Sequence, residues 1–177
     1  QFFPGAQFLL YVPVRRCDRF TMMRFLSIAI VLSALPLLAE KRTITNYDGS
    51  VYEGEVSNGI ANGYGVLRWP SGIAYEGEFR NGEKHGTGKE TYPDGSVYFG
   101  DFAEGIKSGR GKFTWKNGSF YDGEYRDGMK HGTGTEQYPD GSRYSGSYFE
   151  GRRTGRGTMT FSDGSRFDGE WRDDLYH

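Results

Sequence analysis

The sequence predicts an all-β protein: an elongated, single-layer antiparallel sheet of tandem β-hairpins. Three observations carry this. Gly reaches 28 of 177 residues, and each Gly inside a helix would cost about 0.8–1 kcal/mol relative to Ala. From Ile44 onward only 18 of 134 residues are Leu, Ile, Val or Phe while 23 are aromatic, so a core must be built from rings and backbone. Third, the chain repeats itself every 23 residues, and a period of that length marks an array of small stacked units.

One segment precedes the repeat. The sequence starts at Gln1, and residues 1–21 are expected to be an upstream extension outside the fold. Residues 22–39 read as a targeting segment: Arg24 gives a positive start, Phe25 to Leu38 carry no charge, and Ala39 is small. That is the layout of a signal peptide, with an uncleaved anchor as the alternative because Leu37 occupies a position that favours a small residue. A short apolar helix followed by export is the expectation. Cys17 is the only cysteine, which excludes a disulfide framework and a cysteine-based zinc site. With 22 Lys and Arg against 23 Asp and Glu the net charge is -1, and nothing suggests a nucleic-acid binder.

The array itself is expected over residues 43–177. Units start at Tyr52, Tyr75, Tyr98, Tyr121 and Tyr144, with a partial one at Phe167. Gly54, Gly77, Gly100, Gly123, Gly146 and Gly169 follow at the same step. Tyr47-Asp48-Gly49-Ser50 looks like the tail of a preceding partial unit. Units 2 and 4 agree at 16 of 23 positions and units 2 and 3 at 11, which indicates a 46-residue super-repeat. One column shows it physically, since Leu67, Glu90, Phe113, Glu136 and Met159 alternate apolar and acidic.

Each unit reads as a hairpin. In Tyr75-Glu76-Gly77-Glu78-Phe79-Arg80 ring, Gly and ring alternate with charge, the period of a half-buried strand. Asn81-Gly82 opens a connection, because Gly accepts positive φ without strain. A second strand is predicted over Gly86–Tyr92, and Pro93-Asp94-Gly95 returns the chain to the next unit. Each strand Gly leaves room for a neighbouring ring to lie on the backbone. Three ring columns are expected to stack: Tyr52 to Phe167 at the unit starts; Val56, Phe79, Phe102, Tyr125, Tyr148 and Trp171; and, on the second strand, Trp69, Tyr92, Trp115, Tyr138 and Phe161.

The run Tyr-Glu-Gly-Glu-Phe-Arg-Asn-Gly-Glu-Lys-His-Gly-Thr-Gly at 75–88 resembles the MORN (membrane occupation and recognition nexus) repeat, and the likeness extends over 47–173. Unit 1 departs from the pattern with Val56 at the aromatic position. The resemblance implies an extended hairpin array acting as an interaction scaffold, with protein partners, dimerisation and acidic phospholipid surfaces among the roles of the family. It implies no enzymatic activity and no cofactor.

His85 and His131 recur two units apart, roughly 19 Å along the array, too far to share one ion. Glu53/Glu55, Glu76/Glu78, Asp101, Asp122/Glu124 and Asp168/Glu170 form an acidic ladder on the outer face, read as solvated. No catalytic, cofactor-binding or metal-binding residue is assigned. Arg143, Arg152, Arg153, Arg156, Arg166 and Arg172 concentrate positive charge late in the chain and are the candidate patch for an anionic partner such as a lipid headgroup. The expected function is an exported, non-enzymatic scaffold for a protein partner or membrane, with homodimers through the terminal repeat. The alternative is a cell-wall or carbohydrate-binding module.

Overall fold

A computed structural model of the chain describes residues Glu40 to Tyr176. The upstream extension and the targeting segment lie outside the described residues.

The described chain forms one antiparallel sheet of 13 strands in strict sequence order. The strands are β1 Glu40–Thr45, β2 Val51–Ser57, β3 Ile60–Arg68, β4 Ala74–Arg80, β5 Glu83–Thr91, β6 Val97–Ala103 and β7 Ile106–Thr114. They continue as β8 Phe120–Arg126, β9 Met129–Gln137, β10 Arg143–Phe149, β11 Arg152–Thr160, β12 Arg166–Arg172 and β13 Leu175–Tyr176. Each repeat is one hairpin, as the alternation predicts. The sheet begins slightly before the expected start of the array, because Glu40–Thr45 pairs with β2 along its whole length.

Two kinds of turn alternate. Between β4 and β5, Asn81 and Gly82 take φ of 50° and 89°, the two-residue turn whose twist suits a hairpin. The same position holds Glu104 (φ 49°) between β6 and β7. A left-handed backbone costs an ordinary L-residue about 1–2 kcal/mol, and Asn tolerates it better. Glu104→Asn is therefore expected to stabilise the fold by about 0.5–1 kcal/mol, read as a higher urea midpoint; an unchanged or lower midpoint would show that Glu104 is held by something other than turn geometry.

The second kind of turn, Tyr92–Ser96, is closed by Tyr92 N–H to the Ser96 carbonyl and Gly95 N–H to the Tyr92 carbonyl, both 2.9 Å. Asp94 accepts from the Ser96 amide at 2.8 Å and from its hydroxyl at 2.9 Å. Those bonds to the charged form hold the Asp94 carboxyl below the usual carboxylate range. The same lock recurs at Asp48/Ser50, Asn117/Ser119 and Asp140/Ser142, and the four serines are buried. Tyr92 and its counterparts Trp69, Trp115, Tyr138 and Phe161 therefore open these turns; the second strand ends one residue earlier than the sequence suggests.

The glycines form an unbroken row across the sheet, each paired directly with the next: Gly54, Gly65, Gly77, Gly88, Gly100, Gly111, Gly123 and onward. The ring lying on them comes from the same unit, not from a neighbour. Tyr75 covers both Gly77 and Gly88, and a Cβ on Gly88 would overlap its ring. The Tyr75 hydroxyl then donates to the Glu78 carbonyl at 2.9 Å. Tyr52, Tyr98, Tyr121 and Tyr144 repeat the bond three residues ahead.

That carbonyl marks a feature the alternation did not predict. Between Gly77 and Glu78 the register slips, so Gly77 faces Gly88 while Glu78 faces His85. Gly86 and Thr87 are the extra residues, with Gly86 at φ 57°, and the slip recurs in each of the five full hairpins.

Candidate interaction surface

The sheet has two faces of opposite character. On the inner face the rings do not stack as separate columns. Tyr52, Phe79, Tyr75, Phe102, Tyr98, Tyr125, Tyr121, Tyr148, Tyr144, Trp171 and Phe167 form one zigzag. Successive centroids lie 4.9–5.6 Å apart with interplanar angles of 78–89°. Such edge-to-face pairs contribute about 0.5–1.5 kcal/mol each beyond their burial. Tyr75, Tyr98, Tyr121 and Tyr144 are fully buried. Burial pushes the Tyr75, Tyr98 and Tyr121 phenols well above their ordinary range. Val56, the departure in unit 1, is buried in the same core. The turn-opening rings Trp69, Tyr92, Trp115 and Tyr138 flank the zigzag half-buried, whereas Phe161 is exposed.

A cation closes each of units 2 to 5. Lys84, Lys107, Lys130 and Arg153 recur at the repeat step and lie over these rings. Lys84 Nζ is 4.9 Å from the Phe102 centroid, Lys107 Nζ 4.8 Å from Tyr98, Lys130 Nζ 5.0 Å from Tyr121, and Arg153 4.4 Å from Trp171. Buried acids hold the three lysines. Glu90, 7% exposed, accepts from Lys84 at 2.7 Å and from the Tyr92 hydroxyl at 2.6 Å, with Lys107 at 3.6 Å. Glu136 accepts from Lys130, Tyr138 and Tyr148. Burial alone would raise the Glu90 carboxyl, but bonds from Lys84 and Tyr92 and the two ammonium charges hold it below its ordinary value. Burial pulls the Lys107 ammonium down, and the Glu90 charge at 3.6 Å only partly opposes that.

The sequence signal for this network was the alternation of Glu90 and Glu136 with apolar residues. Its meaning depends on Lys84, which shares the face of Gly88 and Glu90 and so belongs inside.

The outer face is polar and open. Its acidic ladder is half structural. Glu55, Glu78, Asp101 and Glu124 accept from the slipped amides of Tyr64, Thr87, Arg110 and Thr133 at 3.2, 3.4, 3.0 and 3.0 Å. Those of Thr133 hold the Glu124 carboxyl below its usual range. The other rung faces solvent: Glu53 pairs with Arg68 at 3.0 Å and Asp122 with Lys112 at 3.9 Å. His85 and His131 sit across from Glu78 and Glu124, with the His131 ring 5.2 Å from Phe149.

The six arginines do not form one patch. Arg153 turns inward and pairs with Asp174 at 3.0 Å, so it belongs to the core. Arg152, Arg156 and Arg166 sit outside in exposed pairs with Asp173, Glu170 and Asp168. Arg143 and Arg172 are exposed, and among the described residues neither has an ion-pair partner. Along the hairpin edge, Ile60, Ile106, Met129 and Phe149 are exposed large apolar residues.

An open sheet of repeated hairpins, each contacting only its neighbours, defines a linear β-repeat protein. The MORN repeat family matches residues 52–73, 75–97, 98–120, 121–143, 144–166 and 167–177. The chain belongs to the MORN repeat family, and such a scaffold fits a protein-interaction role. No curated protein matches the chain. Among solved structures, it is similar to the TCP domain of SAS-4 (dCPAP) of Drosophila melanogaster, which is in complex with a proline rich motif of Ana2 (dSTIL). That likeness has 21% identity, covers 77% of this chain and 86% of the other, and has a TM-score of 0.42.

Proposed function

We propose that the protein is an exported, non-enzymatic scaffold that presents the outer face of its sheet to a protein partner. The observation that supports this reading is the division of labour between the faces. The inner face is consumed by rings, cations and buried acids. The outer face leaves Ile60, Ile106, Met129 and Phe149 exposed beside unpaired charge, and exposed apolar groups with a polar surround mark an interaction surface. Export rests on the charge and length of residues 22–39. An acidic phospholipid surface and a homodimer through the terminal repeat are the further partners this reading allows.

The carbohydrate-binding alternative needs open aromatic cages, whereas the rings of units 2 to 5 are covered by Lys84, Lys107, Lys130 and Arg153.

Crosslinking mass spectrometry on the exported protein in its native envelope tests the scaffold role. Links from outer-face Lys89 and Lys112 to a second protein are expected. Recovery of self-links alone would overturn it.

A further inference from the structure

One hairpin lacks the carboxylate that the other four share. In the hairpin of β10 and β11 the position of Glu55, Glu78, Asp101 and Glu124 is taken by Ser147. The backbone there is unchanged: the register slips between Gly146 and Ser147, and Gly155 has φ 57°, as do Gly86 and Gly132. A Cβ built on Gly155 would stand 3.7 Å from Ser147, whereas at Gly86 and Gly132 it would run into the Glu78 and Glu124 carboxylates. The Arg156 amide, the counterpart of Thr87 and Thr133, meets no side-chain carboxylate among the described residues.

The surroundings are charged to match. By strand parity the outer positions of β10 and β11 hold arginines, hydroxyl residues and Phe149, with no acid among them. Arg156 is 88% exposed, and its link to Glu170 at 3.8 Å is loose enough to leave guanidinium donors free. Arg143 stands on the same face of β10, and exposed Phe149 lies two residues beyond Ser147.

We propose that Ser147, Gly155 and the Arg156 amide form a carboxylate-binding notch that takes a Glu or Asp side chain from an acidic peptide segment of the partner protein. The same chain shows at Glu78 and Glu124 how a carboxylate seats on this backbone, and at Glu55 and Asp101 on a variant of it with Gly63 and Gly109 at φ 102° and 88°; hydrogen bonds to an ionised acceptor are the strong kind. Arg156 and Arg143 supply the field that selects an acidic segment, and Phe149 offers it an apolar contact. The proposal rests on the outer face being the interaction surface.

Amide spectra of the full chain, titrated with acetylated hexaglutamate and with hexaglutamine, test it at low salt. The Gly155 and Arg156 amides are expected to shift with hexaglutamate and not with hexaglutamine. Ser147→Glu places the chain's own carboxylate in the notch. It should raise the melting temperature and weaken hexaglutamate about tenfold or more, the loss of one charge-assisted hydrogen bond. Arg156→Gln should weaken it with the melting temperature unchanged. Unshifted amides, or Ser147→Glu binding hexaglutamate like the wild type, would overturn the notch. So would inorganic phosphate or phosphatidylserine vesicles moving these amides at lower concentration than the peptide, which would assign the site to another anion. If crosslinks still reach a partner through Lys89 or Lys112, the scaffold reading stands even where the notch fails.

Discussion

Gly111→Ala should destabilise the protein by about 3 kcal/mol, the upper end of the ordinary range for overpacking. The new methyl would stand inside the Tyr98 ring, and that ring has nowhere to go. Its hydroxyl is bound to the Asp101 carbonyl at 3.0 Å, its edges meet Phe102 and Tyr125 at 5.1 Å, and Lys107 lies over it at 4.8 Å. The backbone cannot yield either, because Gly111 is paired with Gly100 on one side and Gly123 on the other. The substitution falls mid-array, and in a linear repeat each unit is stabilised only through its neighbours. Urea unfolding followed by the fluorescence of Trp69, Trp115 and Trp171 is therefore expected to broaden or split into two steps as well as to move down. Gly118→Ala separates this from simple backbone strain: Gly118 has φ +84° but nothing within 4 Å of an added Cβ. A Gly111→Ala loss no larger than that of Gly118→Ala would show that the ring is not clamped.

The ring-on-glycine clamp is partly legible in the sequence. Tyr75, Gly77 and Phe79 share one face because strand side chains alternate, and the repeat states that fact five times over. The direction of the ring was not legible. Sequence spacing gives the face but not the rotamer, and Tyr75 folds back over its own Gly77 rather than over a neighbour's. The register slip was hidden for a related reason. It adds two residues, Gly86 and Thr87, so Lys84, Gly88 and Glu90 stay in phase and alternation passes through unbroken. The carboxylates of Glu78 and Glu124 then read as solvated surface, although they close the amides the slip exposes. Arg153 illustrates the limit of reading charge as a cluster. It lies next to Arg152 in the chain, yet alternation sends one outward and the other onto Trp171.

Burying charge is the costliest choice in this core, and it yields the second large expected effect. Glu90→Leu should cost about 3–5 kcal/mol at neutral pH, the usual cost of stripping a buried cation of its partner. Leucine itself fits, because Leu67 occupies the same position one unit earlier, packed against the core. What differs there is the cation: unit 1 has Ala61 where unit 2 has Lys84. Lys84 and Lys107 would remain over their rings with side chains only 18% exposed and no acid between them. Adding Lys84→Ala to Glu90→Leu recreates the Ala61/Leu67 pairing and should recover a substantial part of the loss, leaving Lys107 as the residual cost. Acidity supplies an independent check. The folded carboxyl of Glu90 lies below its unfolded value, so its contribution is complete above the ordinary glutamate range, about 4.3, and is lost as pH falls through the folded value. The stability gap between wild type and Glu90→Leu should therefore be constant near neutrality and narrow below about pH 4. A gap that holds at low pH, or a double variant no better than Glu90→Leu alone, would mean that Glu90 supports the core by packing and not by charge.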